Sequence, residues 1–283
     1  MNKDKPIGIF DSGIGGLTVL KELRRVLPDE QLIYFGDTAR IPYGTKSAAL
    51  VTQYALEDAA FLMQYKVKLI VVACNTASAL AIDTLQKELP VPVVGVVLPG
   101  ALAALRESRS GKIGVIGTTA TINSKAYKKT IVEKAAGRDV QVDQQACPLL
   151  VPLVEEGWLE DDITDLTLKR YLGDLLNIPV DTLVLGCTHY PLLKPAIRKL
   201  AGKQVALIDS GHETAVYVKE ALREHDLLHK GPRLGDDYFF VSDIPQKFAE
   251  IGSRFLGEKL SSVRRVDFEQ FLVQHSAAPG PSF

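Results

Sequence analysis

Short apolar runs alternate along the chain with longer stretches whose apolar residues recur every three or four positions. The short runs, at 7–10, 31–35, 69–73, 93–97, 112–116, 140–144, 182–185 and 205–208, read as strands. Several are apolar at nearly every position, the pattern of strands covered by helices on both faces. The 3.6-residue spacing predicts helices over 17–26, 46–65, 78–88, 124–136, 161–177, 192–201 and 213–224. Strands and helices alternating in this way predict an α/β fold with mainly parallel central sheets.

The pattern also repeats. PIGIFDSGIGG from Pro6 is echoed by GKIGVIGTTAT from Gly111, and LIVVACNTAS from Leu69 by TLVLGCTHYP from Thr182. Ile9 and Val115 lie 106 positions apart and Cys74 and Cys187 lie 113 apart, so both order and offset agree. Parallel-strand proteins reuse such patterns, but the agreement favours two pseudo-symmetric α/β domains with a site in the cleft between them. The expected first domain is discontinuous, 1–98 plus 209–265, and the second is 99–208. Residues 266–283, ending in HSAAPGPSF, are expected to form a flexible tail.

The 283 residues suffice for two such domains, and a chain 46% hydrophobic and 24% charged can bury their cores without disulfides or structural metals. A net charge of −1 argues against nucleic-acid binding. The longest uncharged run, 89–105, holds Pro90, Pro92 and Pro99 and is too short to span a membrane. The polar N-terminus shows no secretory signal, and three cysteines are too few and odd for a disulfide scaffold. Together these predict a cytoplasmic, reduced protein whose partners are small molecules or a second copy of itself.

Ligands in parallel α/β sheets gather beyond the carboxyl ends of strands, and each distinctive motif falls at such a place. Asp11-Ser12-Gly13 follows the first strand and runs into Gly15-Gly16, without the lysine of a phosphate loop. Cys74-Asn75-Thr76 brings a thiol, an amide and a hydroxyl together where a strand gives way to a helix. Free N–H groups there could hold a carboxylate, and the helix N-terminus is expected to lower the thiol pKa from its usual value of about 8.5. The same residues also fit a small buried hydrophobe followed by helix caps. Gly186-Cys187-Thr188-His189 repeats the arrangement, with His189 placed either as a proton partner for Cys187 or as a structural histidine. Asp37 fits a turn cap as well as a site residue, and Cys147, before Pro148, fits a structural thiol.

Two thiols at equivalent places suit racemisation of an amino acid. That reaction needs a base on one face of Cα and an acid on the other, exchanging roles for the opposite enantiomer. A metal-binding or redox protein using Cys74, Cys187 and His189 is the rival from another class. It is weakened by the lack of C-x-x-C and of a second histidine at ligand spacing. A pure amino-acid-binding module would not need two thiols.

With these residues in view, the chain resembles the glutamate racemases of the aspartate/glutamate racemase superfamily from about residue 7 to residue 256. The resemblance runs through DSGIGG at Asp11, GDTARIPYG at Gly36, ACNTAS at Ala73, GVIGTTATI at Gly114, CPLLVPLVEEG at Cys147, GCTHYPLL at Gly186 and LIDSGHETA at Leu207. It implies that Cys74 and Cys187 are the paired acid/base residues, with Asp11 assisting Cys74 and His189 assisting Cys187. The substrate contacts it implies are Asp11, Ser12, Tyr43, Gly44, Asn75, Thr76, Thr188 and His189, with Thr118, Thr121 and Glu155 beside them. It further implies glutamate as substrate, no pyridoxal phosphate, metal or other cofactor, a homodimer, and D-glutamate supply for peptidoglycan in the bacterial cytoplasm. An aspartate racemase of the same superfamily stays open, because the depth of the side-chain pocket is not written in the motifs.

Overall fold

The computed structural model describes residues 3–260 and 262–276. The elements run β1 (Ile7–Asp11), α1 (Leu17–Val26), β2 (Leu32–Gly36), α2 (Ala48–Met63), β3 (Leu69–Val72), α3 (Asn75–Glu88), β4 (Val93–Gly95) and α4 (Val97–Glu107). They continue as β5 (Lys112–Gly117), α5 (Thr119–Ser124), α6 (Ala126–Lys134), β6 (Gln141–Ala146), α7 (Leu150–Glu156), α8 (Asp162–Asn177), β7 (Thr182–Gly186) and α9 (Lys194–Ala201). The last are β8 (Ala206–Asp209), α10 (Ser210–Glu224), β9 (Tyr238–Val241), α11 (Pro245–Leu256), β10 (Val263–Arg265) and α12 (Phe268–Ser276).

Two sheets result, and every strand pairing in them is parallel. The first has the order β10-β9-β2-β1-β3-β4 and the second β6-β5-β7-β8. In each half the first strand lies between the second and the third, and the fourth flanks the third. The internal repeat in the sequence is thus a repeat of topology. Every residue of β1, β2, β3 and β7 is buried, as strands covered on both faces must be. In both halves the strand order reverses beside the first strand, and a crevice opens at the carboxyl ends where the connections leave in opposite directions. Cys74 follows the end of β3 and Cys187 the end of β7, so the two thiols occupy equivalent switch points.

The halves meet at those ends. Thr18 Oγ1 donates to the Thr188 carbonyl at 3.0 Å, and the Thr76 and Thr118 hydroxyls lie 2.9 Å apart. Close approach depends on two glycines. A Cβ on Gly15 would fall 2.1 Å from Thr188 Oγ1, and one on Gly44 would fall 2.8 Å from Thr118 Cβ. Helix α10 packs against α1 of the first half and α4 of the second, bracing them on another side.

Three of the expected segments take another form in the structure. The helix expected over 124–136 begins only at Ala126, as α6, and a separate short helix, α5, ends at Ser124, because Lys125 adopts φ 58° and the Ser124 hydroxyl both donates to Thr121 O and accepts from Ala126 N. The strand expected over 93–97 stops at Gly95, where the Val96 N–H turns to Ser78 Oγ at 3.1 Å and α4 begins. The flexible tail expected from residue 266 instead begins with helix α12. Phe268 and Phe271 sit in the core, Phe268 with its ring 4.9 Å from that of Phe35. Burying each ring contributes about 1.5–3 kcal/mol, and their i, i+3 spacing is a helical signal. The expected tail beyond residue 276 lies outside the described residues.

Candidate active site

A cavity of about 170 Å³ lies between the facing strand ends. That is small beside the roughly 300–1,000 Å³ of pockets for drug-sized ligands and suits a single amino acid. Ser12, Tyr43, Gly44, Asn75, Thr76, Thr118, Thr188 and His189 line it together with Cys74 and Cys187. Asp11, Thr121 and Glu155 do not line it, and each stands behind a residue that does.

Cys74 is the N-cap of α3, its sulfur accepting from the Ala77 N–H at 3.5 Å and lying 3.5 Å from Ser12 Oγ. The N–H groups of Asn75 and Thr76 fall in the first turn, where no intrahelical acceptor exists. Asp11 closes β1 with Oδ2 accepting from Gly13 N at 2.8 Å. Its Oδ1, like Nδ2 of Asn75, is buried with no partner among the described residues. Two orphaned polar atoms flanking one cysteine mark a place that polar ligand atoms would complete.

Across the cavity, Cys187 Sγ lies 3.8 Å from His189 Nδ1, and His189 Nε2 lies 3.0 Å from Glu155 Oε1. The imidazole is buried, with the Phe255 ring of α11 set edge-on 5.2 Å from it. Thr121 completes a triangle of hydroxyls with Thr76 at 3.2 Å and Thr118 at 2.9 Å. The Tyr43 hydroxyl points away from the cavity. It donates to Asp37 Oδ2 at 2.5 Å and lies 3.0 Å from Asp58 Oδ2, and Arg40 binds both of these carboxylates. Asp37 therefore serves the loop that carries Tyr43 and Gly44 rather than the cavity itself. Cys147 is a buried free thiol outside the lining, its sulfur 3.6 Å from Gln145 O.

Residues 14–218 match the Asp/Glu/Hydantoin racemase family. That span is well over half the chain. The chain belongs to the Asp/Glu/Hydantoin racemase family. A glutamate racemase of Geobacter metallireducens is 55% identical over 94% of this chain and 97% of its own. Among solved structures, a glutamate racemase from Bacillus anthracis superposes with a TM-score of 0.89 at 41% identity, covering 94% of this chain and 98% of its own. One from Francisella tularensis, in complex with D-glutamate, gives 0.87 at 40% identity, covering 95% and 99%.

In this racemase-family site the electrostatics differ from one cysteine to the other. Burial pushes the Cys74 thiol up to about 12, reinforced by the negative charge of Asp11 and opposed by Ala77 N–H and Ser12. The lowering expected from the helix N-terminus is therefore overturned, because the hydrogen bonds from Ala77 and Ser12 are weaker than full desolvation beside a carboxylate. Burial also raises the Asp11 carboxyl, against the pull of His189 and of the Gly13 and Gly16 N–H groups. At His189 burial disfavours the charge, but Cys187 and Glu155 override it and hold the imidazolium up to about 10. Glu155 is pulled below its ordinary range, its partial burial outweighed by the bond to His189.

The sequence reading missed one wall of the cavity. Pro148, Val151 and Pro152 supply it from the start of α7 and the loop before it, with Pro42, Thr45 and Thr119 at the rim. The available signal was CPLLVPLVEEG, whose prolines flank a short apolar helix. Tyr127, whose hydroxyl donates to Asn75 Oδ1 at 2.7 Å, was also missed, since nothing in its sequence neighbourhood distinguishes it from a core tyrosine.

Proposed function

We propose that this chain is a cofactor-independent glutamate racemase that carries the Cα proton between two thiols, Cys74 and Cys187, supplying D-glutamate for peptidoglycan. The observation that carries this reading is the pair of cysteines at equivalent strand ends of two like halves, both lining one small cavity. A substrate Cα between them offers one face to each sulfur.

The α-carboxylate binds the free N–H groups at the start of α3 and the side-chain amide of Asn75, donors already in place for the negative charge that grows when Cα loses its proton. The thiolate on one side takes that proton and leaves a planar carbanion, and the thiol opposite returns a proton to the other face. The first sulfur ends as thiol and the second as thiolate, ready for the reverse direction. Cys74, whose thiol burial holds at about 12, needs an activating charge. The substrate ammonium entering beside it and Asp11 favours the thiolate. On the other side His189, oriented by Glu155, exchanges its proton with Cys187. A homodimer in the bacterial cytoplasm belongs to the same reading.

The test is the circular dichroism of L-glutamate incubated with the purified protein, first in water and then in deuterium oxide. Decay of the signal to zero, with deuterium at Cα of the D-enantiomer formed, is the expected result. A signal that stays constant from both L- and D-glutamate, while aspartate racemises, transfers the reading to aspartate. Constancy with every amino acid tried sinks it.

A further inference from the structure

Asn75 follows Cys74 directly, is buried, and lines the cavity. Its side-chain amide carries an acceptor oxygen on one side and two donor hydrogens on the other, and a half-turn exchanges them. A carboxylate ligand only accepts, so the amide serves it in one orientation and repels it in the other. Among the described residues, no side chain of the first half is hydrogen-bonded to this amide. The choice comes from the second half. Tyr127, fully buried on α6, donates its phenol hydrogen to Asn75 Oδ1 at 2.7 Å. With the oxygen so occupied, Nδ2 is left buried and without a partner among the described residues.

The tyrosine is itself held in place from the other thiol's side. A Cβ on Gly186, the residue before Cys187, would lie 3.1 Å from Tyr127 Cε2, and one on Gly100 would lie 3.2 Å from Cε1. The ring therefore rests between two glycine-bearing backbone segments, each close enough that a Cβ would crowd it. The phenol end of Tyr127 packs beside the chain next to Cys187, and its hydroxyl binds the side chain next to Cys74.

We propose that Tyr127 is a positioning residue for substrate binding: it locks the Asn75 amide so that its N–H faces the ligand carboxylate. This rests on the glutamate racemase reading above. Tyr127 does not touch the reacting atoms. It acts through Asn75, and so its loss is felt in binding before it is felt in turnover.

The experiment measures racemisation of glutamate in both directions, with melting temperatures, for the wild type, Tyr127→Phe, Asn75→Ala and the double variant. Tyr127→Phe is expected to raise KM about tenfold, the worth of one hydrogen bond to a charged group, with kcat changed by less than about threefold. In the Asn75→Ala background the same change should move KM by less than about twofold, since the amide it positions is gone. An unchanged KM in Tyr127→Phe, or the same increase in both backgrounds, overturns the proposal and leaves the phenol a packing group. Asn75→Asp gives an independent check should Tyr127→Phe fail to fold. It keeps the acceptor for Tyr127 and removes the donor, so normal glutamate affinity in that variant also overturns the proposal. A wild type that does not racemise glutamate counts against the functional reading instead, and is told apart by that single control.

Discussion

The two cysteines sit at matching points of two matching sheets, yet their surroundings share almost nothing. Cys74 opens a long helix and is surrounded by a serine hydroxyl, the backbone N–H groups of Ala77 and Ser12 and the buried carboxylate of Asp11. Cys187 opens only a short turn at Tyr190–Leu193 and faces an imidazole backed by Glu155. One thiol is raised by burial and a neighbouring negative charge, while the other faces a histidine held positive up to about pH 10. Duplicated topology supplies two facing places for chemistry, and the residues that follow each strand decide what each place is. A reversible two-base reaction does not require chemical symmetry. It requires that each side be able to hold and release a proton.

The comparison is broken most completely by removing either sulfur. Cys74→Ser and Cys187→Ser are each expected to lower racemisation in both directions by about 10³-fold or more, because an alcohol is a far poorer acid and base here than a thiol. Steady-state polarimetry from each enantiomer checks this, and one variant that keeps near-wild-type rates would reduce the site to a single base. Next in size is the contact that holds the Cys187 side against the first half. Gly15→Ala places a methyl 2.1 Å from Thr188 Oγ1 and 2.6 Å from His189 Nδ1. Misplacing an acid–base group by that much is expected to cost about 10²-fold in kcat/KM, and an unaffected rate would mean the halves need not close this tightly.

The smallest expected effect sharpens the electrostatic contrast. His189 is held above its ordinary 6.5, up to about 10, so its pairing stabilises the fold fully below 6.5 and is lost as the pH rises through about 10. Glu155 is held below its ordinary 4.5, so its share is present above that value and is lost as the pH falls through its lowered pKa. Glu155→Gln should therefore melt below the wild type by the widest margin at about pH 6, with the gap closing above about pH 10. A gap that does not vary with pH would assign Glu155 to packing alone.

Much of this was legible beforehand because it rests on local pattern. The short, β-branched apolar runs that became β1, β3, β5 and β7, each bounded by a turn signal, read as buried strands, which placed the motifs after them at strand ends. Ser12, Asn75, Thr76, Thr118, Thr188 and His189 line the cavity as their places in those motifs suggested. What was not legible depends on distant pairings. A return of the chain to the first half after residue 208 was expected, but not strands β9 and β10, which join the first sheet from more than 200 residues away. Helix α12 was hidden by the small residues and prolines that follow it, although Phe268 and Phe271 carried its spacing. Tyr43 was assigned to the site on resemblance and lines the cavity, but the sequence did not show that its hydroxyl joins a buried network of Asp37, Asp58 and Arg40.

By itself the sequence determined the parallel α/β class, the duplication and the residue types at each strand end, since periodicity, glycine and hydroxyl turns act over a few neighbouring positions. Only the tertiary structure decided which of those residues line the cavity and which stand behind them, that the Cys74 thiol is raised rather than lowered, and that Tyr127 governs Asn75. Those outcomes depend on desolvation and on hydrogen bonds between segments far apart in the chain. Both exist only once the two halves have closed on each other.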